Sequence, residues 1–320
     1  MLYPLFVACV VQADAESLHR VNFRATQGNV TAIMGPSVGE RRTLTDLMGE
    51  RRHYGSFEGQ IKINGGRQGS SYSENVAFVP RRSLYMPGLT YYEMLMYSAR
   101  LRIANDMFLI TLTSAPEAVA LVKRRVDDVL EMMGLTKIKN RLIDERPQLR
   151  GELGGDLRRL SIAMEIIALP AVMILDDPLF GMDPSEAYGI MNRLKQVALR
   201  GHVVVCSMFK PAPRAFEMVD QVVLLSCGWT VFAGKRDNLK SHFCSKAVGY
   251  EMLKGSNLVD FVLDVASGVE RPRSKREGYS AEELQEKLEQ SGAFIAPVLT
   301  GPDVEANGAE VLAWLGYAHV

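Results

Sequence analysis

Residues 30 to 43 read Val30-Thr31-Ala32-Ile33-Met34-Gly35-Pro36-Ser37-Val38-Gly39-Glu40-Arg41-Arg42-Thr43. The run from Val30 to Met34 is a short apolar segment of strand type, and Leu44 to Met48 can start a helix. Strand, glycine-containing turn and helix form the setting of a phosphate-binding loop, where backbone N–H groups at a helix N-terminus face an anion. The pattern G-x-x-x-x-G-K-[ST], laid from Gly35, meets Glu40, Arg41 and Arg42 where Gly, Lys and Ser/Thr belong. Laid from Met34 it gains Gly39 in the second glycine slot, but it loses the first glycine and puts Glu40 in the lysine slot. The stretch has the position of a P-loop with altered chemistry.

The bulk properties narrow the class around it. The chain has 320 residues, 47% hydrophobic and 23% charged, which suits a globular protein with a full core. Its formal net charge is zero, so no electrostatic footprint argues for nucleic acid. Cys9, Cys206, Cys227 and Cys244 stand far apart with no CxxC, which supports neither a metal site nor a disulfide framework and makes a reducing compartment the default. No apolar stretch reaches the roughly 18 to 20 residues that a membrane helix needs. Met1 to Val11 is apolar and Ala13-Asp14-Ala15 resembles a cleavage site, but no Lys or Arg precedes the run as in a signal peptide. Tyr3 to Val11 is therefore read as a buried strand.

Outward from the loop, Asn22 to Gly28 followed by Val30 to Met34 reads as strand, turn, strand. Phe57 to Asn64 alternates, and Gly65-Gly66 gives a hairpin signal. Asn75 to Val79 is a further short strand. From Thr90 to Met133 the apolar spacing turns helical, and Leu157 to Ala168 is a helix closed by Pro170. Ala171 to Leu175 and Val203 to Cys206 are apolar strands. Between them a helix opens at Asp183 as N-cap, with Pro184 in the first helical position and Glu186 completing a capping box. Asp220 to Ser226, Cys227-Gly228 and Trp229 to Ala233 read as strand, turn, strand. Buried strands alternating with helices predict an α/β fold with a mainly parallel central sheet. Residues 90–165 are expected to form a mainly helical insertion. Beyond Leu263 a basic cluster, Arg271, Arg273, Lys275 and Arg276, reads as a solvated linker face, with a membrane-surface contact as the other reading. Ser280 to Gln290 reads as a short capped helix.

Other pieces of chemistry follow the loop in order. Val172-Met173-Ile174-Leu175 runs into Asp176-Asp177. In P-loop ATPases such a strand ends beside the loop; its first acid holds Mg²⁺ through water and a following acid orients the attacking water. Leu153-Gly154-Gly155-Asp156 stands upstream, followed by Leu157-Arg158-Arg159-Leu160, and Gly181-Met182-Asp183 downstream. With these pieces the chain resembles the nucleotide-binding domain of ABC transporters, and within them the ABCG or white-type subfamily. Ala32-Ile33-Met34-Gly35-Pro36-Ser37 matches that subfamily's lead into the P-loop. Pro87-Gly88-Leu89-Thr90 resembles the segment after its Q-loop, and Asn257 to Gly268 (NLVDFVLDVASG) its connector before the membrane domain. The resemblance covers about residues 16–270. It implies a P-loop NTPase fold of ABC type, with an antiparallel β subdomain beside the parallel sheet. Residues 1–250 would be the nucleotide-binding domain and 251–320 the connector and C-terminal tail.

The resemblance also implies roles. Gly35, Pro36, Ser37, Val38, Gly39, Glu40, Arg41, Arg42, Thr43, Arg81 and Asp176 would face ATP. Leu153, Gly154, Gly155, Asp156 and Asp183 would form the signature and dimer face, and Phe209 takes the switch position. Several of these depart from the family's pattern. Val38 and Glu40 replace glycines, removing freedom to adopt positive φ, and Glu40 adds a negative charge. Two unit charges about 4 Å apart at a protein surface interact by roughly 4 kcal/mol, so the cost to a triphosphate would be large. Arg41 keeps the lysine's charge on a planar, bulkier head. Arg42 removes the hydroxyl that ligates Mg²⁺, while Thr43 is kept. Arg81 replaces the Q-loop glutamine, Leu153 the signature serine and Phe209 the switch histidine, and Asp177 is one methylene shorter than the catalytic glutamate.

Phosphoryl transfer depends on positioning, so these changes together predict impaired intrinsic hydrolysis. Asp177 reads either as the catalytic carboxylate or as a retained strand-end acid. Asp183 reads either as a helix N-cap or as a residue acting across a dimer interface. Arg41, Arg42 and Arg81 either replace the metal's positive charge, so that nucleotide binds without Mg²⁺, or mark drift in an unused pocket. The function implied is an ATP-binding subunit of an ABCG-type membrane transporter, weakly active or regulatory and needing a partner. The alternative is a pseudoenzyme scaffold that binds no nucleotide and contributes only a dimer surface. The partner implied is a second ABC nucleotide-binding domain, a hetero-dimer rather than a homo-dimer, because two copies would build two sites damaged on both faces. A membrane domain is expected in another polypeptide or missing from this fragment, which places the chain at the cytoplasmic face of a membrane.

Overall fold

The computed structural model describes residues 6–13, 18–51, 57–64, 66–67, 72, 75–83, 85–103, 115–143, 154–245 and 248–269. Among the described residues, ten strands form two sheets. β1 (Phe6–Ala13), β2 (Leu18–Thr26), β4 (Phe57–Ile63) and β5 (Gly66–Arg67) make an antiparallel sheet in the order β2-β1-β4-β5. β3 (Val30–Met34), β6 (Val76–Val79), β7 (Val172–Leu175), β8 (Val203–Ser207), β9 (Gln221–Ser226) and β10 (Trp229–Lys235) make the second, in the order β10-β9-β3-β8-β7-β6. The pairs from β9 to β6 are parallel, and β10 closes the edge as an antiparallel hairpin on β9.

The helices are α1 (Val38–Met48), α2 (Tyr91–Ile103), α3 (Ala115–Met132), α4 (Gly155–Ile166), α5 (Pro184–Leu199), α6 (Pro213–Phe216), α7 (Asn238–Phe243) and α8 (Leu258–Ala266). β3, β7 and β8 are buried at every residue, which is why they read as unbroken apolar runs rather than alternating ones. Their side chains divide between two cores because successive residues of a strand face opposite sides. Ile33, Val172, Ile174, Val203 and Val205 join Leu44, Leu47 and Met48 of α1 and Leu18, Val21 and Phe23 of β2 on one face. Ala32, Met34, Met173, Leu175, Val204 and Cys206 meet helices α2 to α5 on the other. Fully burying one such Val, Leu or Ile contributes about 1.5–3 kcal/mol.

The expected antiparallel subdomain and the helices of the 90–165 stretch are both present. α4 starts at Gly155, two residues earlier than the apolar pattern suggests, with Gly154 as its N-cap. α5 begins as expected: Asp183 Oδ1 accepts the Ser185 and Glu186 N–H groups at 2.8 Å each. Glu186 lies beside Gly155 instead, where an added Cβ would stand 3.1 Å from Glu186 Oε1. The full reciprocal box occurs at α2, where Thr90 and Glu93 exchange side-chain-to-backbone bonds of 2.8 and 3.1 Å. α8, inside the expected connector, buries Val259, Phe261, Val262, Val265 and Ala266 in the same core as the parallel sheet. The basic cluster after Glu270 and the helix expected at 280–290 lie outside the described residues.

Candidate phosphate site

In a parallel sheet the loops at the carboxyl ends of adjacent strands converge on one edge. Along β3-β8-β7-β6 those loops deliver Gly35 to Arg41, Ser207 to Phe209, Asp176-Asp177, and Pro80-Arg81. Residues far apart in sequence are placed together by the strand order alone.

The loop itself is narrow at Gly35. Its φ is +156°, and a Cβ there would stand 2.5 Å from the Leu225 carbonyl oxygen, so no other residue fits without moving β9. Ser37 caps α1, its Oγ accepting the Glu40 N–H at 3.3 Å. An α-helix leaves its first four N–H groups without intrahelical partners, so the first turn keeps donors for an anion. Arg41 is buried and folds back over the loop, Nη1 donating to the Gly35 carbonyl and to Ser37 O at 3.0 Å. The Phe209 ring lies 5.2 Å from its Cζ. Burial pushes the Arg41 guanidinium pKa down, and the charges of Asp177 and Asp176 oppose that shift.

Glu40 and Arg42 are placed differently from the sequence expectation. The Glu40 carboxylate turns toward the β9–β10 hairpin, where it accepts the Gly228 N–H, while Oε2 is buried without a hydrogen-bond partner. Burial raises its pKa. The Gly228 N–H and the neighbouring Arg41 offset part of its charge, which weakens the repulsion of a triphosphate expected from the sequence. Arg42 runs along α1 to Asp46, Nε to Oδ2 3.5 Å, with 68% of its side chain exposed. It lies on the solvent side of the helix and does not join Arg41 and Arg81. Val38 and Gly39 are exposed in the first turn of α1, and Pro36 and Thr43 are half-buried.

Behind the loop the two acids are held tightly. Asp176 is buried, and its Oδ1 accepts the Ser207 hydroxyl at 2.9 Å. The same Ser207 oxygen accepts the Asp177 N–H at 2.8 Å. Asp177 has φ +43°, a left-handed conformation that Asp tolerates better than most residues. Burial pushes its carboxyl pKa up, against the pull of Arg81 and Arg41. Arg81 Nε stands 3.7 Å from Asp177 Oδ2, and its guanidinium lies 3.4 Å from the centroid of the Phe180 ring. A stacked, ion-paired guanidinium thus covers the second acid.

Arg158, on α4, anchors both sides of this pair. It is 1% exposed, and it donates to the carbonyls of Pro80 (2.7 Å), Arg81 (2.9 Å), Asp177 (3.0 Å) and Pro178 (3.1 Å). Its role is missed by motif reading. The available signal is its place on the buried stripe Gly155, Arg158, Ile162, Ile166, where an arginine interrupts an apolar spacing. Ser207 and Phe180 are missed as well, because each acts on residues distant in sequence.

The signature and dimer-face residues stand apart from this cluster. Leu153 lies outside the described residues. Gly154 is exposed at the head of α4 and Gly155 is buried beside Glu186. Asp156 pairs with Arg159 and with Arg141, the latter at 3.5 Å. Asp183 is engaged as the α5 cap. Phe209 is 47% exposed, and the next residue, Lys210, pairs with Asp260 of α8 at 2.7 Å. Among the described residues, no group of three or more His, Cys, Asp or Glu could hold a metal ion, and no helix is long and apolar enough to cross a membrane.

Comparison with known proteins agrees with this geometry. Residues 18–180 match the family model described as ABC transporter. The chain is similar to the ABC transporter G family member STR of Medicago truncatula, 30% identical over 80% of this chain and 30% of that protein. ABC transporter G family member 25 of Arabidopsis thaliana is 33% identical over 76% of this chain and 35% of its own length. The broad substrate specificity ATP-binding cassette transporter ABCG2 of Sus scrofa is 30% identical, over 82% of this chain and 38% of its length. The chain spans about a third of the length of the curated relatives it matches.

Proposed function

The chain belongs to the ABC transporter family, and from that premise we propose that it is the ATP-binding unit of a G-type transporter, acting as the weakly active or regulatory half of a pair. The Arg81–Asp177 pair carries the reading of weak activity. Asp177 occupies the position of the water-orienting carboxylate, yet its carboxylate faces a guanidinium and its backbone is fixed by Ser207 and Arg158. Reaction rates fall steeply when such a group is displaced by about an ångström. The position taken by the switch histidine in the family holds Phe209, which covers Arg41 and has no titratable atom to offer.

The reading of ATP binding rests on the retained loop geometry: a narrow turn at Gly35, the first-turn N–H groups of α1 that the Ser37 cap does not take, and a cation at Arg41. The partner is a second nucleotide-binding domain with an intact loop, whose phosphates would meet Gly154 and Gly155 at the head of α4. A membrane-spanning partner domain places the chain at the cytoplasmic face of a membrane, with residues 251–320 as connector and tail.

The test is ATP binding and turnover, first with the chain alone and then mixed with a G-type domain bearing an intact loop. Binding without turnover alone, and turnover at one site in the mixture, is the expected pattern. Sustained hydrolysis by the chain alone would overturn the regulatory role. Absence of binding in both settings would leave only the scaffold reading.

A further inference from the structure

The divalent cation that accompanies ATP in this family does not fit the residues present. Position 42 offers no hydroxyl, and its side chain lies against Asp46 on the outer side of α1. Position 81 offers no side-chain oxygen and instead brings a guanidinium to Asp177. One oxygen of Asp176 is engaged by Ser207. Two guanidinium groups stand near the acids, Arg41 over the loop and Arg81 over the second acid, each close enough to act on them electrostatically. The two guanidinium groups offset the charges of Asp176 and Asp177, which leaves the acids little net attraction for a divalent cation.

We propose that this chain binds nucleoside triphosphate as the metal-free polyanion, with Arg41 and Arg81 supplying the positive charge that a divalent cation supplies elsewhere. The inference rests on the reading of the chain as an ATP-binding unit. Arg41 already spans the loop at Gly35 and Ser37, beside the N–H groups of the first turn of α1. Arg81 is a third exposed and stacked on Phe180, itself at the surface. Its contact with Asp177 is a single 3.7 Å approach of Nε, which has no hydrogen-bond partner, and a terminal phosphate can take Asp177's place as its anionic partner without breaking the aromatic stack. Planar guanidinium groups match phosphate oxygens in pairs, which an ammonium does not. Arg42, which the sequence groups with these two, takes no part.

The experiment is equilibrium binding of a fluorescent ATP analogue to the full chain, in excess Mg²⁺ and in excess EDTA, with inorganic tripolyphosphate as competitor. The expected result is affinity in EDTA equal to or tighter than in Mg²⁺, with tripolyphosphate competing in EDTA. Arg81→Gln is expected to weaken binding in EDTA about tenfold, a loss of one phosphate contact of about 1.4 kcal/mol. It should weaken binding less in Mg²⁺, so that a metal dependence appears where the parent has none. Arg81→Lys, keeping the charge, should fall between. Thermal unfolding of each variant, measured beside the parent, separates lost binding from lost folding. Binding that needs Mg²⁺ and vanishes in EDTA overturns the inference and leaves the ATP-binding reading standing. Absence of binding in both buffers overturns both. Unchanged EDTA affinity in folded Arg81→Gln removes Arg81 from the site.

Discussion

Replacing Arg158 by Met tests the tie beneath the site. Met replaces the aliphatic stem of the side chain but ends about two atoms short of the guanidinium nitrogens, and it donates nothing to the four carbonyls of Pro80, Arg81, Asp177 and Pro178. A hydrogen bond from a charged donor contributes about 1.5–3 kcal/mol, so the gross loss is roughly 6–12 kcal/mol. Against this stands the several kcal/mol that desolvating a guanidinium costs, which Met does not incur. The net loss expected is about 3–5 kcal/mol, the range found when one side of a buried charged contact is removed. In a domain of this size each kcal/mol moves Tm by about 2–4 °C, so Tm should fall by roughly 6–20 °C. Near-UV circular dichroism through a thermal scan, and urea titration at low and high salt, measure it. Arg158→Lys should recover part of the loss, because a compact ammonium cannot reach all four oxygens. A Met variant within about 1 kcal/mol of the parent would refute the argument. So would a loss that disappears in high salt, since contacts this buried are not screened.

Other expectations are separable from this one. Ser207→Ala leaves the Asp177 N–H and the Asp176 Oδ1 without their shared hydroxyl, and should lower stability by about 1–3 kcal/mol in urea titration; an unchanged midpoint would show the tie to be idle. Gly35→Ala drives a Cβ into the Leu225 carbonyl, and should cost at least about 1–3 kcal/mol and weaken fluorescent-ATP binding, with the parent's Tm and affinity as the contrary result. Glu40→Gln bears on pH. Burial raises the Glu40 pKa, so the folded state holds its proton more tightly and its ionisation destabilises the fold as pH rises above about 4.5. The Tm of the Gln variant minus that of the parent should therefore increase from pH 4.5 to pH 7. A difference that stays flat or falls would show that the carboxylate is not buried.

Much of the architecture was legible because the relevant signals are local. β3, β7 and β8 announce themselves as apolar runs, and α5 announces its start through Asp183 and Pro184. The order of the motifs carried the family. The chemistry of the site was less legible, for a physical reason. A residue's type does not say where its side chain goes when two partners compete for it. Glu40 and Arg42 were read as neighbours of the phosphates; the hairpin at Gly228 and the helix partner Asp46 hold them elsewhere. The stacking of Arg81 on Phe180 joins loops after β6 and β7, and Arg158 reaches across 78 positions to Pro80, so the partner of neither can be read from spacing.

The bonds made by Ser207 and Arg158 have a last consequence. They hold main-chain groups of Arg81, Asp177 and Pro178, and they use side chains that no phosphate would touch. Gly35 likewise sets the width of the loop through the main chain of Leu225. The chassis of this site is thus separate from its fittings, and the side chains of residues 81 and 209 are mounted on a fixed mould.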